Sequence, residues 1–135
     1  MPVDQHLVGR EGTARTTVNA ENTADAYGNL GLQVFATPAL VALVEQAAMA
    51  AIRDDLADGE MSVGGVVRVR HLAPTPRGGT VTARATLRSV EGQRIWFDVV
   101  AHDETEQVGE GEHQRIVVDT ARFLARVERK IPAEG

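Results

Sequence analysis

Between residues 39 and 52 the chain reads ALVALVEQAAMAAI, a helix-length run in which only Glu45 and Gln46 interrupt Ala, Val, Leu, Ile and Met. A helix that is apolar on every side is normally buried on every side, so the remainder of the chain is expected to wrap it. On that helix Pro38, Val41, Ala42, Ala48, Met49 and Ile52 share the face of Glu45, and all of them are apolar. An isolated charge in such surroundings costs several kcal/mol or more. Glu45 is therefore expected to be neutral, paired, or held ready for chemistry.

The rest of the sequence changes period from about four to two. Residues 1–12 read as irregular, 13–24 as a first strand, and DAYGNLGL (25–32) as a loop. The helix is expected to start at Pro38 with Thr37 as its N-cap and to end near Asp58 and Gly59. In GGVVRVRHLAPTP (64–76), alternation puts Val67, Val69 and His71 on one side and Arg68 and Arg70 on the other, before a turn at 74–79. Strands follow at 80–90, with Val81, Ala83, Ala85 and Leu87 inward, at 94–102, and at 108–119, with turns at Glu91-Gly92 and 103–107. The tail ARFLARVERK fits a short helix or a strand extension equally well. One strand, one buried helix and four strands joined as hairpins predict an α+β chain, an antiparallel sheet of about five strands curled around a central helix. That is the hot-dog arrangement, as a single domain over residues 1–135. Its exposed sheet edges predict a homodimer.

Composition narrows the function. The net charge of −5 argues against general nucleic-acid binding. Lys130 is the only lysine among 14 cations, and the arginines suit forked contacts to phosphate, so local anion binding stays open. The N-terminus lacks the apolar core of a signal peptide, and the run at 39–52 is too short to cross a bilayer. With no cysteine, a cytoplasmic protein is expected. His6, His71, His102 and His113 lack metal-ligand spacing, so no metal is expected, and no nucleotide-binding glycine motif or nucleophile elbow is present. Chemistry must come from carboxylate, imidazole, hydroxyl and backbone groups. Glu45 is either a structural carboxylate paired with an arginine or a base or nucleophile. His71 is either a hydrogen-bonded core histidine or a proton donor, and Thr37 either the helix cap or a hydroxyl that orients substrate.

The segments VFATPALVALVEQA, RHLAPTP, LRSVEG, AHDETEQVGEGEHQR and RFLARV together resemble the fluoroacetyl-CoA thioesterase-like family of hot-dog enzymes, from about Val34 to the C-terminus. The resemblance implies an acyl-CoA thioesterase that hydrolyses a short or modified acyl-CoA to free acid and CoA, with Thr37, Glu45 and His71 as the catalytic set and no cofactor beyond the CoA of the substrate. It further implies that Gly64 offers a backbone N–H to the thioester carbonyl, that His113 and Arg115 lie near the acyl-CoA, and that sites form at a dimer interface. Gly28 and Gly31 stand where fluoroacetyl-specific members carry lid phenylalanines, which implies a different acyl selectivity; Pro38 and Gln46 also depart from the pattern. A non-catalytic protein that captures an acyl-CoA or another small ligand is the alternative, and a hot-dog dehydratase or hydratase is a third.

Overall fold

A computed structural model describes residues 3–133. Strand β1 (Glu11–Thr17) leads through loops to helix α1 (Thr37–Ile52), and then come β2 (Glu60–His71), β3 (Thr80–Glu91), β4 (Arg94–His102), β5 (Gln107–Asp119) and helix α2 (Thr120–Glu128). The five strands form one antiparallel sheet in the order β1-β3-β4-β5-β2. Alternation on β3 and β4 sends Val81, Ala83, Ala85, Leu87, Ile95, Phe97, Val99 and Ala101 to one face. These side chains meet Leu40, Leu43, Val44, Ala47, Ala48, Ala51 and Ile52 of α1 to make the core. The predicted sheet-around-helix architecture is present, and the undecided tail is a helix.

Four local expectations are corrected. The first strand spans 11–17, because Asn22 donates to the Thr17 carbonyl and Asn19 and Asn22 accept from nearby backbone N–H groups, which ends the ladder. The helix stops at Ile52 rather than near Asp58; Asp54 and Asp55 would sit unfavourably at the negative end of its dipole, and Arg10 draws Asp55 away at 2.6 Å. Strand β2 runs from Glu60 to His71, starting before the expected Gly64, and it does not form a hairpin with β3. The connection through Pro74 and Pro76 instead pairs with the segment before α1, where the Phe35 N–H donates to the Thr75 carbonyl at 2.8 Å. Strand β2 consequently crosses to the far edge, pairs only with β5, and leaves its other edge open.

Nor is α1 covered on every side. Val41, Ala42, Glu45, Gln46, Met49 and Ala50 form a stripe of half-buried or exposed positions along a helix whose opposite face is closed. No helix among the described residues is long and apolar enough to cross a membrane.

Candidate active site

The sequence-predicted residues fall into two groups within the protomer. Thr37 is the first residue of α1; Ala36 occupies the cap position and no side chain caps the helix, so the predicted capping role of Thr37 is corrected. Its hydroxyl is free to turn outward, and Oγ1 shares a 2.8 Å hydrogen bond with Nδ1 of His71, the last residue of β2. The His71 ring meets Phe35 edge-on at 6.5 Å, and its Nε2 is buried without a hydrogen-bond partner among the described residues. Burial pulls the imidazole below its ordinary pKa, which keeps it neutral near pH 7. A cleft of about 310 Å³ opens beside the pair, walled by Leu32, Val34, Phe35, Leu72, Ala73 and Pro74. Apart from Thr37 and His71, Asn29 is the polar residue of its lining.

Glu45 lies eight residues further along α1, about 12 Å down the helix axis. There it meets an arginine. Arg115, on β5 and 3% exposed, directs Nη1 to Glu45 Oε2 at 3.4 Å and to His113 Nε2 at 3.2 Å. The rest of its guanidinium is held by β2: Nε donates to Ser62 Oγ at 2.8 Å and Nη2 to the Ser62 carbonyl at 3.0 Å. Burial lowers the Arg115 pKa and Glu45 opposes the shift. Arginine remains a cation at any working pH.

His113 is fully buried and stacks on Phe97. Its Nδ1–H donates to the Val66 carbonyl at 2.7 Å, so the neutral ring presents the Nε2 lone pair to Arg115. Burial is the main cause of its lowered pKa, with Arg115 adding to the shift and the Val66 carbonyl and Glu45 opposing it. Gly64 completes this group. A Cβ there would collide with Glu45 Oε2 and approach His113, so glycine is what allows the carboxylate to lie against the β2 backbone. The β2–β5 register slips between Gly64 and Val66, a bulge at the double glycine.

The expected set of Thr37, Glu45 and His71 is thus not brought together within the protomer: Thr37 pairs with His71, while Glu45 lies with Gly64, His113 and Arg115, the residues that the resemblance placed near the acyl-CoA. The sequence pattern did not single out Ser62, whose hydroxyl and carbonyl anchor Arg115, or Phe35, which walls the cleft. Ser62 is two residues from Gly64 on a strand and shares its face, a signal that alternation alone provides.

A family model described as fluoroacetyl-CoA-specific thioesterase, FlK, matches residues 18–121. This chain belongs to that family. It is 46% identical over 101 residues to the fluoroacetyl-CoA thioesterase of Streptantibioticus cattleyicolor, covering 75% of this chain and 73% of the relative. A solved structure of the fluoroacetyl-CoA thioesterase FlK superposes with a TM-score of 0.85 at 38% identity, over 93% of this chain and 97% of that one. A thioesterase superfamily member from Thermus thermophilus superposes at 0.84 with 30% identity, over 90% of each chain. The architecture is therefore the hot-dog fold of acyl-CoA thioesterases. Gly28 and Gly31 have φ of 102° and 86°, the left-handed region that side chains avoid, and both project into open space.

Proposed function

We propose that this chain hydrolyses the thioester of an acyl-CoA whose acyl group is apolar and larger than acetyl, giving the free acid and CoA. The site is completed in a homodimer and uses Thr37, Glu45 and His71. The observation that carries this reading is the separation of two half-sites, Thr37 with His71 and Glu45 with Arg115 and Gly64, at opposite ends of a strand whose outer edge is free. Two-fold antiparallel pairing of that edge with a second copy lays the His71 end of one β2 against the Gly64 end of the other. It also supplies a neighbour for the incompletely covered stripe of α1. Each site then unites a carboxylate, an imidazole and a hydroxyl around one thioester.

In that assembly Glu45, oriented by Arg115, either attacks the carbonyl to give an anhydride that water then hydrolyses, or activates a water molecule for the attack. The backbone N–H at the glycine bulge receives the developing oxyanion, a contribution of about 3 kcal/mol in comparable sites. The proton that the attacking water gives up reaches the departing thiolate through His71, which passes from neutral imidazole to imidazolium and back, and Thr37 fixes the ring through Nδ1. The apolar walls of the cleft favour a hydrocarbon acyl group, and its open mouth leaves room for more than two carbons. No aromatic lid stands at Gly28 or Gly31 to reward fluoroacetate. The non-catalytic capture of an acyl-CoA is not favoured by the family.

Free-thiol release from acyl-CoAs of increasing chain length, with fluoroacetyl-CoA included, tests the reading. Release is expected from several members, with kcat/KM higher for medium chains than for acetyl- or fluoroacetyl-CoA. Thermal stabilisation by every acyl-CoA with no thiol release would make the chain a binder instead.

A further inference from the structure

Helix α2 is built with two faces. Leu124, Val127 and, just beyond the helix, Ile131 are exposed on one side, while Arg122, Arg126 and Arg129, spaced four and three apart, gather on the other. Among the described residues none of these three arginines is in an ion pair. They line one open groove of about 600 Å³ with Gln93, Val118, Asp119, Phe123 and Ala125. Three arginines against the one carboxylate of that lining, Asp119, leave the groove with surplus positive charge in a chain of net charge −5, a charge that suits an anion with several phosphates.

The groove sits at the sheet end that carries Glu45. Val118 is three residues beyond Arg115 on β5, about 10 Å along the strand, and the Gln93 carbonyl accepts from the Val117 N–H at 2.8 Å. We infer that the Arg122, Arg126 and Arg129 groove binds the phosphate-bearing nucleotide end of the CoA thioester, as an anchor separate from the reacting carboxylate. The inference rests on the proposed thioesterase reading. CoA carries its phosphates at the far end of a long, thin pantetheine arm, so a basic anchor displaced from the carbonyl matches its chemistry. Val118 points to the opposite face from Arg115, so the arm passes over the rim of the sheet between the two.

An anionic membrane is the competing occupant. A helix that lies in a bilayer surface flanks its apolar face with basic residues, whereas here the arginines turn away from Leu124 and Val127 and share a concave groove with Gln93.

The test compares the parent protein with the Arg122→Gln/Arg126→Gln/Arg129→Gln variant. Adenosine 3′,5′-bisphosphate titrated into each by calorimetry should bind the parent and weaken about tenfold or more in the variant, a loss of roughly 1.4 kcal/mol or more. In kinetics, the parent should favour acyl-CoA over the matching S-acyl-pantetheine, and the variant should lose that preference through KM. Equal bisphosphate binding by parent and variant, with the preference unchanged, would overturn the anchor. Co-sedimentation with phosphatidylserine vesicles that the variant loses, alongside an unchanged preference, would reassign the arginines to a membrane. A parent with no hydrolysis of any thioester would sink the enzyme reading alone, because bisphosphate binding is measured without turnover. If the triple variant melts early, raising the salt concentration on the parent gives the same readout: KM for acyl-CoA should rise more steeply than KM for acyl-pantetheine.

Discussion

Arg115 stands 3.4 Å from Glu45 and joins the helix carboxylate to the β2–β5 ladder. The pair turns a costly interior acid into one end of a network that also holds Ser62 and His113. Replacing Arg115 by Ala removes four hydrogen bonds at once and strands Glu45 and His113 without their partner. Since Glu45 keeps about a third of its side-chain exposure, the expected loss lies near the low end for a broken buried pair, about 3 kcal/mol by urea unfolding. A change below about 1 kcal/mol would show that the network contributes nothing to the fold.

Glu45→Gln keeps the shape of the side chain and removes its charge, and His71→Ala removes the imidazole. Each should lower kcat by at least about a hundredfold. In the proposed homodimer the two residues serve one site from different copies, so mixing the two inactive variants and allowing subunits to exchange should restore thiol release. Persistent inactivity of the mixture, with heterodimers present, would place both residues in the same protomer's site or in none.

Thr37→Ala separates capping from chemistry. A lost helix cap costs about 1 kcal/mol, whereas Thr37 caps nothing, so the melting temperature should hardly move while kcat falls. Thr37→Ser keeps the hydroxyl for His71 Nδ1 and should retain most of the activity. A clear drop in stability with unchanged kcat would return Thr37 to a structural role.

Gly64→Ala should abolish turnover with the protein still folded. The added methyl occupies the place of Glu45 Oε2, and the carboxylate, partly exposed, can swing away at modest cost. Parent-like kcat in this variant would mean that the contact of Glu45 with the β2 backbone is irrelevant to the reaction.

Stability should decline on the acid side of neutrality. His71 and His113 both take up protons in the native state at lower pH than the ordinary value of 6.5, and burial is the leading cause in each. Below about pH 6.5 the unfolded chain therefore binds more protons than the native one, and stability falls until the native imidazoles also titrate. Above that pH the histidine contribution is flat. The carboxyls of Asp103 and Glu112, held below their ordinary 3.8 and 4.5, add a further loss only at lower pH. Melting temperatures from pH 8 to pH 5 read the first phase directly, and replacing either histidine by Gln should reduce it.

Much of this organisation was legible before any coordinates. Strict alternation fixed the inward faces of β3 and β4, because a one-residue slip would have turned every side chain over. Glu45 stood out because the apolar run around it left a carboxylate with no partner of its own. What pattern reading missed has a common physical origin in tertiary pairing. Nothing local separates a β2–β3 hairpin from a crossover, since the prolines at 74 and 76 fit either, and the choice is made by the pairing of Phe35 with Thr75. Thr37 looked like a cap because capping chemistry and substrate chemistry use the same hydroxyl. The contact of Arg115 with Ser62 joins residues 53 apart, beyond any periodicity.

The ring of Phe35 is shared by two hollows. On one side it walls the cleft at His71; on the other it closes a smaller hollow of about 170 Å³ bounded by Tyr27, Ala42 and Gln46. It is also 1% exposed and belongs to the core. Trimming it would merge the two chambers and admit longer chains, yet the same change costs about 3–5 kcal/mol of folding. Lineages that broadened their substrate range through this partition would first have had to accumulate surplus stability elsewhere, which ties chain-length tolerance in such enzymes to their robustness to heat.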